Sequence, residues 1–181
     1  MKKPAFILAV VLGAVLVYVV ASQPHEDDLK VAAASAHAVG NPDYKGPALI
    51  EKDLNGKPFA LSSLAGKVVL VDFWATWCPP CRAELPDLVA LRDHLASRGF
   101  EVLGVSMDSD GAPAMRRFLK KQPISYPIVL NGGEDEPAGW TVPGLPTAYL
   151  IGRNGAILKR WFGEKDMDEL KREVEAALAA K

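Results

Sequence analysis

Cysteine is nearly absent from this 181-residue chain, which contains only Cys78 and Cys81. Histidine is also scarce, with three copies, and a structural zinc site would need two more thiolate or imidazole ligands beside the cysteines. Two histidines precede residue 40, and His94 would lie about 20 Å from Cys81 along one predicted helix. Arg82 stands where covalent haem attachment requires histidine. The shortage of ligands therefore argues against zinc and against covalently attached haem.

Neither sign of charge is in excess. The chain has 21 Lys and Arg residues against 22 Asp and Glu residues, for a net charge of −1. Proteins that bind nucleic acids need a dense basic surface to displace counterions from the phosphates. We therefore expect no nucleic-acid partner.

Long apolar runs are rare as well, and one of them, residues 5–21, directly follows Lys2, Lys3 and Pro4. As a helix it would span about 26 Å, slightly less than a hydrocarbon core of about 30 Å. Such a run is typical of an export segment, either a cleaved signal peptide or an uncleaved membrane anchor. The positively charged end stays in the cytoplasm in both cases, so we expect the rest of the chain to be exported.

Composition divides the chain into three parts. Residues 1–23 form the predicted signal or membrane anchor. Residues 24–46 are rich in alanine, charge and turn-forming residues and poor in aromatics, which predicts a flexible tether. Residues 47–181 are long enough for one folded domain, since a domain usually takes roughly 100–200 residues.

Hydrophobic periodicity predicts alternating strands and helices in this domain. Asn55-Gly56 is well suited to a tight hairpin turn, and the apolar run VVLVDFW predicts a central strand that is covered on both faces. Strand-helix-strand units combined with hairpins predict an α/β fold in which helices flank a central mixed β-sheet. The predicted strands cover residues 48–52, 58–61, 67–74, 100–106, 126–130, 147–151 and 156–161, and the predicted helices cover 79–97, 112–121 and 166–180.

The stretch WATWCPPCRAELP places the cysteine pair between a predicted strand and a predicted helix. A structural disulfide across so short a loop would remove little chain entropy, so a redox-active dithiol explains the pair better. Unpaired amides and the dipole at a helix start stabilise the thiolate of Cys78, and Pro79 and Pro80 suit the first turn because they lack N–H groups. We predict that Cys78 is the exposed nucleophile and that Cys81, one turn inside the helix, resolves the mixed disulfide.

Resolution requires Cys81 to lose a proton, and two acids are candidates to accept it. Asp72 lies within the apolar strand run, where burial would raise its pKa and let it exchange protons near neutral pH. Glu84 follows Cys81 by three residues and therefore lies on the same face of the predicted helix. If Asp72 lay at an exposed strand end, it would not take this role, and the same holds for Glu84 if it lay on a solvated helix surface. The residues alone leave open which acid handles the proton.

Three motifs, VDFWATWC, WCPPC and the distant VPGLPT, together resemble the thioredoxin-fold TlpA/ResA-like thiol-disulfide oxidoreductases of bacterial envelopes. The resemblance covers about residues 47–181. It implies a thioredoxin-like fold with an N-terminal β-hairpin extension, LNGKPFALSSLAGK, and a helical insertion over residues 108–122. Thioredoxins carry an acid in the place of Asp72 and the ResA-like proteins carry one in the place of Glu84, whereas this chain has both.

The same resemblance implies a surface that binds the substrate chain. It implies a cis peptide bond before Pro146 and backbone hydrogen bonds from Leu145 to the substrate, on a loop that faces the dithiol. The residues around the first cysteine, Trp77, Pro79 and Pro80, are expected to contact the substrate as well.

The residues and the resemblance together predict an exported enzyme that reduces disulfides of envelope proteins, for example during cytochrome c maturation. The expected partners are protein thiol or disulfide clients and a membrane electron donor, and no cofactor or metal is expected beyond the redox-active disulfide Cys78–Cys81. The expected location is the periplasmic side of the inner membrane, or an exported soluble form if the leader is cleaved. The alternatives are a thiol peroxidase and a copper(I)-binding or metallochaperone module that uses the two thiolates.

Overall fold

The computed structural model describes residues 46–133, 136–137 and 139–180. The predicted signal or anchor and nearly all of the predicted tether lie outside these described residues. None of the helices in the described ranges is both long enough and apolar enough to cross a bilayer. The strands are β1 (Ile50–Asp53), β2 (Pro58–Ala60), β3 (Val68–Trp74), β4 (Phe100–Ser106), β5 (Ile128–Leu130), β6 (Thr147–Ile151) and β7 (Ile157–Phe162), and the helices are α1 (Pro79–Leu95), α2 (Gly111–Leu119) and α3 (Met167–Ala179).

All seven strands join one mixed sheet in the order β2-β1-β5-β4-β3-β6-β7. The central strand β3 runs parallel to β4 and antiparallel to β6. Every residue of β3 and of β4 is buried, as expected for apolar, β-branched strands that are covered on both faces. The predicted α/β fold with a mixed sheet is confirmed.

The N-terminal hairpin extends this sheet. Gly56 has φ +77°, and the Asp53 carboxylate accepts the N–H groups of Asn55 and Lys57 at 2.7 and 2.8 Å, which stabilises the turn. Strand β1 pairs antiparallel with β5 through Lys52 and Leu130. The hairpin therefore forms one edge of the sheet, far from the edge formed by β7.

Two hydrophobic clusters cover the two faces of the sheet. Side chains alternate along β3, so Leu70 and Trp74 point to the face on which α1 and α3 pack, and Val71 and Phe73 point to the other face. Asp72 shares the face of Leu70 and Trp74 by the same alternation. An acid of the central strand is thus directed toward the helix that carries the cysteines.

Candidate active site

The two cysteines lie at the start of α1. Cys78 is the N-cap residue, Pro79 and Pro80 occupy the first helical turn, and the Sγ atom of Cys78 accepts the N–H of Cys81 at 3.3 Å. The two cysteines form a disulfide, and their Cα atoms are 5.3 Å apart. In the reduced protein the same backbone amide and the helix dipole stabilise a thiolate on Cys78.

Both cysteines are buried, which contradicts the prediction that Cys78 is exposed. Cys78 is 3% exposed and Cys81 is 2% exposed in this disulfide-bonded form. The bond to Cys81 directs the Cys78 side chain toward the helix, where both cysteines pack in the cluster that contains Trp74 and Leu85. The neighbouring Trp77 is 66% exposed, so it presents an aromatic ring at the surface beside the disulfide.

A buried carboxylate holds the loop that precedes Cys78. Asp108, which follows β4, accepts the backbone N–H of Thr76 at 3.0 Å, the Thr76 hydroxyl at 2.6 Å and the Ser106 hydroxyl at 2.9 Å. Strands β3 and β4 are parallel neighbours, so the residues after them meet at one end of the sheet. This contact was not predicted, although two polar residues after adjacent parallel strands are a usable signal.

Replacing Asp108 by alanine should lower the free energy of unfolding by about 3 kcal/mol, because it removes hydrogen bonds to a charged group and leaves buried donors without an acceptor. Denaturant unfolding of the oxidised protein measures the loss. The control is Asp110→Ala, since Asp110 is exposed and makes no capping hydrogen bond. Equal losses in the two variants would contradict this role of Asp108.

The Leu145–Pro146 peptide bond is cis, as the resemblance implies. Thr147 pairs with Phe73 across β6 and β3, so Pro146 lies next to Trp74 at the end of the sheet from which the cysteine loop leaves. The C=O of Pro146 accepts the N–H of Gly163 at 2.8 Å, which ties this loop to the segment between β7 and α3. The structure thus brings the two distant sequence motifs to one end of the sheet.

Asp72 and Glu84 meet the side chain of Lys165 inside the protein. The Lys165 ammonium lies 3.1 Å from Asp72 Oδ1 and 2.5 Å from Glu84 Oε2, and the backbone N–H of Lys165 donates to Glu84 Oε1 at 2.6 Å. The three side chains are 2%, 4% and 0% exposed, respectively. Both acids are therefore buried as the site prediction requires, and neither is a solvated surface charge. Lys165 was missed, because a lysine before a helix has no local sign of burial.

Burial and ion pairing shift the pKa values of this cluster in opposite directions. Burial raises the pKa of Glu84, and Lys165 reduces that increase without cancelling it. Burial alone would lower the pKa of Lys165, but the charges of Asp72 and Glu84 outweigh it and raise that pKa. The buried Tyr126 hydroxyl has a pKa well above its ordinary value, first because of burial and then because of both carboxylates. The site therefore favours a protonated Glu84 at pH values where an exposed glutamate is already ionised.

Replacing Glu84 by glutamine should make protein stability less dependent on pH above about 4.5. A carboxyl whose pKa is raised by folding contributes stability below its unfolded pKa, 4.5, and loses that contribution as the pH rises through the folded pKa. Glutamine cannot titrate, so this decline should disappear. Denaturant midpoints measured from pH 4 to pH 8 test it, with Asp87→Asn, an exposed acid of α1, as the control. If the decline in stability with rising pH persists in Glu84→Gln, another group causes it.

Metal ligands do not cluster in the part of the chain that the structure describes. No group of three or more His, Cys, Asp or Glu side chains there could hold a metal ion. His94 is exposed on α1, as predicted, while His25 and His37 lie outside the described residues.

Comparisons with known proteins agree with this geometry. A family model described as Redoxin matches residues 38–178, a range that includes both cysteines and Pro146. The chain is 30% identical over 126 residues to the thiol-disulfide oxidoreductase ResA of Bacillus cereus, covering 70% of this chain and 72% of that protein. ResA of Bacillus subtilis is 34% identical over 113 residues, covering 62% of this chain and 63% of that protein.

Solved structures show the same similarity. The crystal structure of a putative thiol:disulfide interchange protein DsbE from Chlorobium tepidum matches with a TM-score of 0.69 and 30% identity, over 77% of this chain and 99% of that one. A putative thioredoxin from Neisseria meningitidis matches with a TM-score of 0.62 and 32% identity, over 73% of this chain and 88% of that one. The predicted thioredoxin-like fold is confirmed.

Proposed function

We infer that this chain acts as a reductant of disulfides in exported proteins, because it belongs to the Redoxin family and is a ResA-like thiol-disulfide oxidoreductase. The observation that carries this proposal is the Cys78–Cys81 disulfide at the start of α1, at the same end of the sheet as the cis Leu145–Pro146 bond and on the helix that carries one of the two buried acids. The nucleophile, the resolving thiol and the candidate proton acceptors then belong to α1 and to the face of β3 that α1 covers, and the substrate loop lies at the end of the sheet from which the cysteine loop leaves.

The proposed reaction starts from the reduced protein. The Cys78 thiolate attacks one sulfur of a client disulfide, which forms a mixed disulfide and releases the other client sulfur as a thiolate. Cys81 then gives its proton to a buried carboxylate and attacks Cys78 Sγ. The bond between Cys78 and the client breaks, the second client sulfur leaves as a thiolate, and the enzyme is left with the Cys78–Cys81 disulfide. Two electrons have passed from the enzyme to the client.

The client chain would bind at the surface formed by Trp77, Pro79, Pro80 and the cis-proline loop. Trp77 and Pro79 are exposed, and Pro80 and Leu145 are half-buried. The backbone groups of Leu145 make no hydrogen bond with any described residue. They are therefore free to pair with an extended client segment in the manner of an added strand.

The location and electron supply belong to the same proposal. The apolar run of residues 5–21 after two lysines supports export across the cytoplasmic membrane, and an uncleaved run would keep the domain on the periplasmic side. A membrane electron donor would reduce the Cys78–Cys81 disulfide after each turnover, and apocytochrome c is one client class that needs its cysteines reduced. Fractionation of cells that express the full chain, followed by mass measurement of the mature protein, distinguishes an anchored form from a cleaved one.

The direction of the reaction can be measured directly. Equilibration of the purified protein in glutathione or dithiothreitol redox buffers should give a potential below about −220 mV, on the reducing side where thioredoxin lies at about −270 mV. The protein should also accelerate the reduction of insulin by dithiothreitol. A potential near that of strong disulfide oxidants, about −120 mV, would contradict the reductant role. Peroxide consumption without a protein disulfide would support the thiol peroxidase instead.

A further inference from the structure

We propose that Lys165 is a positioning residue of the exchange reaction, which binds Asp72 and Glu84 together so that one of them can accept the Cys81 proton near neutral pH. This inference rests on the proposed function and adds a third member to its proton-handling site. It assigns a role to a lysine that lies 93 residues from Asp72 and 81 residues from Glu84 in the chain.

The backbone around Lys165 is fixed on both sides of this residue. Gly163 adopts φ +90° and donates its N–H to the C=O of Pro146, and Asp166 caps α3 by accepting the N–H of Glu169 at 2.9 Å. Lys165 lies between these two anchors, and its side chain is 0% exposed. The lysine therefore has little freedom to turn toward solvent, and its position is linked to the cis-proline loop.

Lys165 contacts the two acids unequally. Its backbone N–H and its ammonium contact different oxygens of Glu84, Oε1 and Oε2, so both oxygens of this carboxylate are engaged. Asp72 meets the ammonium through Oδ1 alone. Glu84 is three residues after Cys81 on α1, and Asp72 projects from β3 toward the same helix. The ammonium thus holds both carboxylates between the central strand and α1, the helix that carries the resolving cysteine.

The charge of the ammonium determines when these acids can ionise. Burial without a nearby cation disfavours the charged form of a carboxyl group. A cation within about 4 Å favours the ionised form and makes a carboxylate available as a base. The other titratable groups around the cluster are Cys81 of α1 and the Tyr126 hydroxyl, which precedes β5 and is coupled to both acids. Neither of them supplies a positive charge.

The test is the pH dependence of disulfide exchange by Lys165→Met in the full chain. The reduced protein is mixed with a fluorescent disulfide peptide, and the single-turnover rate of release from the mixed disulfide is measured from pH 5 to pH 9. The pH midpoint of this rate should move upward by about one unit or more, since an opposite charge at this distance lowers a carboxyl pKa by about 1–3 units. The rate at high pH should approach that of the wild type. The control is Lys171→Met, because Lys171 is exposed on α3.

Two comparisons separate this role from a purely structural one. An unchanged midpoint with a uniformly lower rate in Lys165→Met would overturn the inference and leave the proposed function intact. If both the wild type and Lys171→Met failed to reduce the peptide, the proposed function itself would be overturned. If Lys165→Met does not fold, the double variant Asp72→Asn with Lys165→Met is compared with Asp72→Asn alone. The same upward shift is expected there, because Glu84 again loses its cation.

Discussion

Replacing Cys78 by serine should abolish the reduction of insulin disulfides, whereas replacing Cys81 by serine should preserve the first attack and stall the enzyme as a mixed disulfide. The N-cap position of Cys78 stabilises its thiolate, and serine cannot attack a disulfide. Cys81 lies one turn further along α1 and is needed only to break the mixed disulfide. Turbidity of insulin measures the first effect, and the mass of the covalent adduct measures the second.

Each cysteine variant is the control for the other, since both replace one sulfur by oxygen at an almost equally buried site. Cys78 and Cys81 are 3% and 2% exposed, so accessibility in the oxidised form does not distinguish them. The assignment depends on the helix start and on the exposed Trp77 beside Cys78. Covalent capture of a client by Cys78→Ser, through Cys81, would reverse the two roles. Capture by Cys81→Ser from an envelope extract would also identify the client by its mass.

Removing both buried acids should slow the release of a client from the mixed disulfide by about 100-fold at pH 7, the lower end of the usual contribution of a positioned general base. The double variant Asp72→Asn with Glu84→Gln keeps the shapes of both side chains but removes both carboxylates that contact the Lys165 ammonium. Rapid mixing of the reduced protein with a fluorescent disulfide peptide separates client release from the first attack. The exposed acid Asp87 supplies the control variant Asp87→Asn.

The single variants divide this effect between the two acids. Both oxygens of Glu84 contact Lys165, whereas the second oxygen of Asp72, Oδ2, makes no hydrogen bond or ion pair with the described residues. Asp72 therefore keeps an oxygen that no described residue contacts, and Asp72→Asn should account for most of the loss. A double variant that releases its client as fast as Asp87→Asn would show that the Cys81 proton leaves by another route.

The local elements of this domain could be predicted from the sequence with little error. The bounds of all seven strands and three helices lie within two residues of the predicted ones. Local signals determine such bounds: the run VVLVDFW, the turn dipeptide Asn55-Gly56, and Pro79 at a helix start act through neighbouring residues. The place of the cysteine pair at a strand-to-helix junction was predictable for the same reason.

Other features depend on residues that are distant in the chain, and local patterns contain no information on them. The pairing of β1 with β5 and the hydrogen bonds that Thr76 donates to Asp108 belong to this group. The exposed nucleophile expected from its loop position was wrong, since the disulfide turns that side chain inward.

Residue type and spacing are enough to establish the order of the elements, the dithiol at the helix start and the presence of two candidate acids. That Asp72 and Glu84 share one buried cation follows from the folded arrangement of the chain and not from local patterns. A lysine is usually a surface residue, and Lys165 is buried only because the segment after β7 packs beneath α1 and brings its charge to two carboxylates. The chemistry of the site thus depends on an ion pair that forms when distant parts of the chain come together.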